Sequence, residues 1–269
     1  DALKLVTARA RLLAKAPPGA MTSVPLTGEG LGPLLETGEN RELGLSLAID
    51  NGPSCIVAGS AEAVATFENR LKEKRILCMR VPVSRAIHSA MMEPLLKEFR
   101  EIAGTITLKT PQIPYISNVS GNWISAGQAA DPGYWPTHMR RTVRFAEGME
   151  VLLKKVNKNK NALFIEVGPG RDLSALVVRY IENNPGQRLI NLIRHPQKQV
   201  SDVYFLLNRL GRLWLQGKSI DWDRFYAGEK RRRITLPTYP FDGHRYWIEG
   251  DLLKLDGAKL PAETPGNKK

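Results

Sequence analysis

Cysteine is scarce in this sequence. Cys55 and Cys78 are its only two cysteines among 269 residues; they lie far apart, each inside an apolar run. This pattern excludes a disulfide framework and a cysteine-based metal site, and it is typical of buried thiols in a reducing compartment. We therefore expect a cytoplasmic protein with no bound metal.

Long apolar runs are missing as well. No run approaches the roughly 20 residues that cross a bilayer, and no signal peptide opens the sequence, so we expect no membrane partner. The hydrophobic content of 42% and the charged content of 25% are ordinary for a globular protein. A chain of this length can bury a full core, in one large domain or in two smaller ones.

Acidic residues are in the minority: 27 Asp and Glu stand against 39 Lys and Arg, which gives a formal net charge of +12. The excess favours an acidic partner, such as nucleic acid, an anionic surface, or a negatively charged carrier protein or cofactor. The tight basic cluster Lys230-Arg231-Arg232-Arg233 has no stacking aromatics interleaved with it. We therefore expect a solvated turn or an interface edge there, and no nucleic acid partner.

Apolar periodicity divides the first third of the chain into alternating elements. Residues 1–16 predict a helix that Pro17-Pro18-Gly19 ends. Residues 20–81 follow the order strand, helix, strand, strand, helix, strand, which is that of a split βαβ, or ferredoxin-like, unit. Asn51-Gly52 between two of these strands predicts a hairpin.

The later residues alternate again, with mainly parallel character, so the small unit is inserted into a larger α/β one. The predicted elements are a helix over 89–103, a strand over 114–118, a loop over 122–131, helices over 144–156, 173–181 and 201–216, a polar turn over 157–161, and strands over 162–167 and 189–193. The strand over 162–167 is apolar at nearly every position, which is typical of a buried parallel strand. Two prolines make residues 236–241 an extended segment outside any central strand.

His88 lies at the junction between an apolar strand end and a helix start. Ser89 can cap that helix, with Leu95 and Phe99 on its buried face. A histidine at such a corner can present its ring to a cleft, as a general base requires. A lone histidine near a helix start is more often an ordinary surface or core residue, so the interpretation depends on its neighbours.

Six motifs occur in the order and approximate spacing of one family. They are Asn51-Gly52-Pro53, Ser84-Arg85-Ala86-Ile87-His88-Ser89, Tyr134-Trp135, Val143-Arg144-Phe145, Glu166-Val167-Gly168-Pro169-Gly170 and Leu236-Pro237-Thr238-Tyr239-Pro240-Phe241. Through them, residues 1–249 resemble an acyltransferase domain of a modular type I polyketide synthase. The last motif, with Tyr246-Trp247, separates these multidomain enzymes from free-standing malonyl-CoA:acyl carrier protein transacylases.

The resemblance implies an α/β fold: a partial α/β-hydrolase-like large subdomain with an inserted ferredoxin-like small subdomain, followed by an extended linker. It assigns residues 1–19 and 84–200 to the large subdomain, 20–83 to the small subdomain, 201–249 to a linker toward the ketosynthase, and 250–269 to a flexible tail.

The implied activity is acyl transfer through a serine ester. The serine of a Gly-His-Ser-x-Gly motif attacks malonyl-CoA or an alkylmalonyl-CoA, and the acyl group passes to the phosphopantetheine of an acyl carrier protein. This sequence contains neither Gly-His-Ser-x-Gly nor the Phe-Pro-Gly-Gln segment of the oxyanion hole. We therefore expect the C-terminal part of such a domain, inactive alone and without a bound cofactor. The implied partners are the acyl carrier protein, the ketosynthase domain of the same chain and the CoA thioester.

Two side chains carry the implied chemistry. His88 resembles the catalytic base, and the resemblance assigns the backbone carbonyl that orients its ring to His138. Arg9 resembles the arginine that binds the free carboxylate of the malonyl group, because a guanidinium pairs with a carboxylate through two hydrogen bonds.

Three further residues are implied to lie at the substrate. Arg85 and Ile87 fall in the four-residue motif associated with extender choice, and the bulk of Ile87 favours malonyl over methylmalonyl. Asn51 lies in a turn that the resemblance places near the cleft. Gly168-Pro169-Gly170 lacks the lysine and the spacing of phosphate-binding loops, so we interpret it as structural.

A second hypothesis is a non-catalytic remnant that serves as a docking scaffold for the ketosynthase or the carrier protein. Retention of a His88-type base and an Arg9-type clamp favours the enzyme. The sequence that precedes Asp1 in the parent protein would separate the two, since the enzyme requires a Gly-His-Ser-x-Gly motif there.

Overall fold

The structure is a computed structural model that describes residues 1–156, 162–181, 188–230, 232, 234–240 and 243. The helices are α1 (Ala2–Lys15), α2 (Gly28–Glu36), α3 (Gly38–Arg41), α4 (Ala61–Glu73), α5 (Glu93–Gly104), α6 (Ala126–Ala130), α7 (Tyr134–Arg140), α8 (Phe145–Val156), α9 (Asp172–Ile181), α10 (Asp202–Leu215) and α11 (Trp222–Phe225). The strands are β1 (Ala20–Val24), β2 (Ser46–Asp50), β3 (Cys55–Gly59), β4 (Met79–Arg80), β5 (Ile116–Ser117), β6 (Asn122–Trp123), β7 (Val143–Arg144), β8 (Leu163–Pro169) and β9 (Arg188–Ile193).

Contacts divide the chain into two compact units, Asp1–Ser219 and Ile220–Lys269. Helix α10 lies in the first unit, and the assignment of residues 201–249 to a linker stays a prediction. In the second unit, the rings of Trp222, Phe225 and Tyr226 contact one another. Tyr239 of the proline-fixed segment is exposed, as expected for an extended segment.

A five-stranded sheet with the order β4-β1-β3-β2-β7 organises the first part of the chain. Strands β1, β2, β3 and β4 pair antiparallel, and β7 joins β2 in parallel. The order of strands and helices predicted for residues 20–81 is therefore present, with the short α3 added. The Asn51-Gly52 hairpin is confirmed: the Asn51 N–H donates to the Ser54 carbonyl, and Gly52 has a φ of +84°.

Both faces of this sheet are covered. Helices α2 and α4 pack on one face, around Val57 and Phe67, because alternate residues of β1 and β3 point to it. The opposite face packs against Ala86. A separate core lies among α1, α5 and α7, and Ile87 contacts both this core and the second sheet face. The segment that carries His88 is thus fixed where two cores meet.

Strands β8 and β9 form a second, parallel sheet, as the sequence predicted. Helices α8 and α9 cover the face that contains Phe164 and Leu189. On the other face, α10 packs against β9 and Ile190 is buried. Ile165 and Val167 of β8 remain 45% and 75% exposed, so the prediction of a fully buried strand is wrong here, because α10 covers β9 and leaves β8 uncovered.

Other differences are local. The loop predicted over 122–131 contains β6 and α6, and a capping box between Ser125 and Gln128 starts the helix. The predicted polar turn over 157–161, Tyr246-Trp247 and the tail over 250–269 lie outside the described residues. Within the described part of the chain, no helix is both long and apolar enough to cross a bilayer.

Candidate functional site

His88 has an unusual backbone conformation, with a φ of +59°. The left-handed region costs a residue with a Cβ about 1–3 kcal/mol, so the surrounding structure must hold it there. Its backbone N–H donates to the carbonyl of Met139 at 3.1 Å. The Ser89 hydroxyl donates to the carbonyl of Ala86 at 2.5 Å and accepts from the N–H of Met91 at 3.2 Å. Ser89 therefore caps the turn before α5, as predicted, and closes the corner.

The imidazole of His88 is oriented by a backbone carbonyl. Its Nδ1 lies 3.0 Å from the carbonyl oxygen of Arg141. Because a carbonyl only accepts, Nδ1 must carry the proton, and the lone pair of Nε2 is left available. This is the tautomer that a general base needs.

The orienting carbonyl was expected at His138, and the carbonyls of His138 and Arg141 both act on the ring. The hydrogen bond goes to Arg141, three residues later, and the His138 carbonyl adds a weaker influence that raises the pKa of His88. Helix α7 ends at Arg140, so its last carbonyls have no helical partner. Two of these free groups, from Met139 and Arg141, turn toward His88.

Arg9 lies on α1 and acts on the same site. Its charge lowers the pKa of His88 and of His138. Burial lowers the pKa of Arg9 itself, and its buried Nε has no hydrogen-bond partner among the described residues. The two predicted side chains, Arg9 and His88, are therefore electrostatically coupled.

Burial is the largest influence on the pKa of His88 and lowers it, the charge of Arg9 lowers it further, and the carbonyls of Arg141 and His138 oppose both. His88 is only 4% exposed. A neutral imidazole near pH 7, with Nδ1 protonated, is the state that accepts a proton at Nε2.

The side chain of His138 was not predicted to take part, yet its ring lies 5.6 Å from that of His88, edge to face. Burial, then the charges of His88 and Arg9, lower the pKa of His138 to about 4. The ring is therefore neutral near pH 7. One feature of the sequence could have indicated this position of the His138 ring. Tyr134 and His138 are four residues apart, which puts both on one helix face.

Arg85 lies elsewhere in the corner. Its Nε donates to the carbonyl of Leu13 at 3.1 Å and its Nη2 to that of Ala14 at 3.3 Å. These carbonyls end α1, so Arg85 ties the helix of Arg9 to the segment of His88. Because protein carbonyls occupy its guanidinium, Arg85 is not part of the site that we propose.

Ile87 and Asn51 have mainly structural contacts. Ile87 packs between the two cores on either side of it. The carbonyl of Asn51 accepts a hydrogen bond of 2.6 Å from the hydroxyl of Tyr180, which joins the hairpin to α9. Their contacts with substrate stay predictions. Among the described residues, no group of three or more His, Cys, Asp or Glu is placed to hold a metal ion.

The family model for the acyl transferase domain matches residues 1–218. This chain belongs to the acyl transferase domain family. Its relatives are acyltransferase domains of polyketide synthases, as the sequence motifs indicated.

Two relatives show the level of similarity. The chain is 33% identical over 270 residues to a phenolphthiocerol synthesis polyketide synthase of Mycobacterium marinum, and the match covers 99% of this chain and 12% of the synthase. It is 35% identical over 251 residues to the spectinabilin polyketide synthase system protein NorB of Streptomyces orinoci, with 91% and 11% covered.

Solved acyltransferase domains have the same fold. The domain of ZmaA superposes with a TM-score of 0.79 at 45% identity, and the match covers 88% of this chain and 53% of that one. The domain from the second module of the salinomycin polyketide synthase gives a TM-score of 0.76 at 33% identity, with 88% and 54% covered. The chain therefore spans about half the length of the solved domains and a small part of the synthases.

Proposed function

We propose that this chain supplies the general base and the carboxylate-binding arginine of a polyketide synthase acyltransferase. In this proposal, a malonyl-type group moves from CoA through a serine ester to the phosphopantetheine of an acyl carrier protein. One observation carries it: Nδ1 of His88 is fixed on the Arg141 carbonyl, which leaves the lone pair of Nε2 free, and the charge of Arg9 acts on this imidazole.

The chemistry divides into two half-reactions, and in each of them Nε2 of His88 takes up one proton and returns it. The nitrogen takes the serine proton as the serine oxygen attacks the thioester carbonyl, and returns it to the departing CoA sulfur. It then takes the proton of the phosphopantetheine thiol as that sulfur attacks the ester, and returns it to the serine oxygen. The carbonyl of Arg141 stabilises the imidazolium present between the transfers, because it accepts from Nδ1–H.

In this proposal, Arg9 both selects the malonyl group and changes the pKa of His88. Its guanidinium pairs with the free carboxylate of the malonyl group, which an acetyl group lacks. The pairing also offsets the charge that lowers the pKa of His88. The base would therefore become stronger when the correct substrate is bound.

The nucleophile must come from outside these 269 residues, since the sequence has no Gly-His-Ser-x-Gly motif. We infer that the other half of the domain provides it and also covers Ile165 and Val167, which are apolar and exposed on a parallel strand. The order β4-β1-β3-β2 and the parallel β8–β9 pair support our assignment of a ferredoxin-like small subdomain and a hydrolase-like large one. We also propose the carrier protein and the ketosynthase as partners, because the relatives of this chain are acyltransferase domains of polyketide synthases.

The test uses the intact synthase that contains this chain, with transfer of malonyl from CoA to the carrier protein followed by mass spectrometry. His88→Gln should lower kcat by about 10²–10⁴-fold, because the general base is lost. Arg41→Gln, which changes an exposed residue on α3, is the control. Unchanged transfer in the His88 variant would contradict the proposal and favour the docking scaffold.

Arg9→Ala should lower kcat/KM for malonyl-CoA about tenfold to hundredfold and leave acetyl-CoA unaffected, because a charged hydrogen-bonded pair is lost. The acidic limb of its pH profile should move to higher pH, since removal of the cation raises the pKa of His88. Arg11→Ala, exposed on the same helix, should change neither quantity.

A comparison of malonyl-CoA with methylmalonyl-CoA tests the preference expected from Ile87: faster methylmalonyl transfer would refute it.

A further inference from the structure

A cavity of about 390 Å³ lies among β9, the start of α9 and α10. Its lining shares no residue with the site around His88. Four permanent cations line it: Arg171, Lys198, Arg209 and Arg212. Within the described residues, no carboxylate lines it. A cavity with this charge and no internal counter-charge selects for anions.

The cations converge from three different elements. Arg171 lies in the turn before α9, Lys198 in the loop before α10, and Arg209 and Arg212 lie one turn apart on α10. In the described part of the chain, none of the three arginines has an ion pair. Burial, then the charges of Arg212 and Arg171, lower the pKa of Arg209, as expected of cations that repel one another.

The nearby carboxylates are already engaged. Asp202 pairs with Arg194 at 2.6 Å. Glu166 accepts from the N–H groups of Leu173 and Ser174, each at 3.0 Å, and from the Ser174 hydroxyl. The N-terminus of α9 is thus capped by a side chain, so the four cations, and not the helix dipole, form the anion site.

Apolar side chains complete the cavity and position two of the cations. Ile190 and Phe205 line it and are 4% and 5% exposed. The ring of Phe205 lies 5.0 Å from the Lys198 ammonium and 4.5 Å from the Arg209 guanidinium. Such cation–π contacts hold charged groups in place at small cost.

We propose that this cavity binds an organic phosphate, with a phosphate monoester or diphosphate on the arginines and its organic part against Ile190 and Phe205. Guanidinium groups bind phosphate oxygens through paired hydrogen bonds. The volume lies in the range of small-molecule sites and exceeds what a lone phosphate fills. The proposal does not depend on the acyltransferase activity.

Binding of pyrophosphate and of adenosine 3′,5′-bisphosphate to this chain can be measured by calorimetry. Both should bind more weakly as salt is raised. Lys198→Gln/Arg212→Gln changes two exposed residues and should weaken binding of both by about tenfold or more, since charged hydrogen bonds are removed. Arg171→Gln provides a second variant with one charge removed. Arg41→Gln/Arg100→Gln removes two charges from exposed arginines that do not line the cavity, and should leave affinity within about twofold.

The two probes identify the source of the phosphate. Tighter binding of the bisphosphate than of pyrophosphate would assign a nucleotide-type ligand, as proposed. Equal affinities would overturn the organic part of the proposal and leave an inorganic anion site. Equal effects of the cavity and control substitutions would overturn the site itself, as would binding of an acidic protein there without any binding of phosphate.

Discussion

The five-stranded sheet and the β8–β9 pair both contain apolar strands, yet only the first is covered on both faces. In the first, Val57 and Phe67 are fully buried under helices that follow in the same stretch of chain. In the second, Val167 is 75% exposed although its strand is also apolar. Strand composition therefore predicts the capacity for burial, and the elements packed above it decide whether burial occurs.

The largest expected effect tests this comparison directly. Phe67→Ala should destabilise the protein by about 3–5 kcal/mol, because it leaves a cavity in a closed core. Val167→Ala should change the free energy of unfolding by no more than about 0.5 kcal/mol, since the side chain is mostly in solvent. Urea unfolding of both variants measures the two values. A large loss for Val167→Ala would show that the β8 face is covered in solution.

A pH titration sharpens the contrast, because His88 is buried and His138 half-buried, whereas His195, which follows β9, is exposed. The pKa of His138 is about 4 in the folded protein, below the roughly 6.5 of an unfolded histidine. The unfolded state therefore binds the proton first. Above about pH 6.5, His138 is neutral in both states and does not lower the free energy of unfolding. This free energy falls by about 2–3 kcal/mol as the pH drops toward 4.

His138→Gln should remove that part of the pH dependence between pH 7 and 4.5, as measured by urea unfolding at each pH. An unchanged slope in the His138 variant would show that this ring titrates normally.

A smaller effect is expected where the two regions touch, at Gly52. Its φ of +84° disfavours any Cβ, and a Cβ there would meet the Tyr180 hydroxyl at 2.5 Å. Gly52→Ala should cost about 1–3 kcal/mol. Gly104→Ala, in open space at the end of α5, should be neutral. Thermal melts check both. Tyr180→Phe removes the clashing hydroxyl and also its hydrogen bond to the Asn51 carbonyl, so its effect is measured both in the parent protein and in the Gly52→Ala background.

Much of the fold was predictable because its signals are local. The Asn51-Gly52 turn, the Ser89 cap and the alternation of apolar residues in β1 and β3 each depend on neighbours within a few positions. Helix α6 was missed although Ser125 and Gln128 form a capping box, a signal that was present but not used.

Part of the site was not predictable in the same way. Arg9 and His88 were found through the resemblance to a known family. The contact of His88 with the Arg141 carbonyl depends on the residue at which α7 ends, and the end of a helix is uncertain by one or two residues. The ring of His138 acquires its low pKa from burial and from charges far away in sequence. The arginines that line the cavity among β9, α9 and α10 belong to none of the six sequence motifs.

By itself the sequence determined the order of the strands and helices, the family, and the residue types able to do acyl transfer, because these follow from short-range pattern and from matching residues. The tertiary structure decided which atoms meet. In it, Nδ1 of His88 donates to the Arg141 carbonyl and Arg85 donates to a carbonyl at the end of α1. One face of β8 is exposed. Those outcomes depend on packing between segments distant in the chain, and no local pattern of residues specifies such contacts.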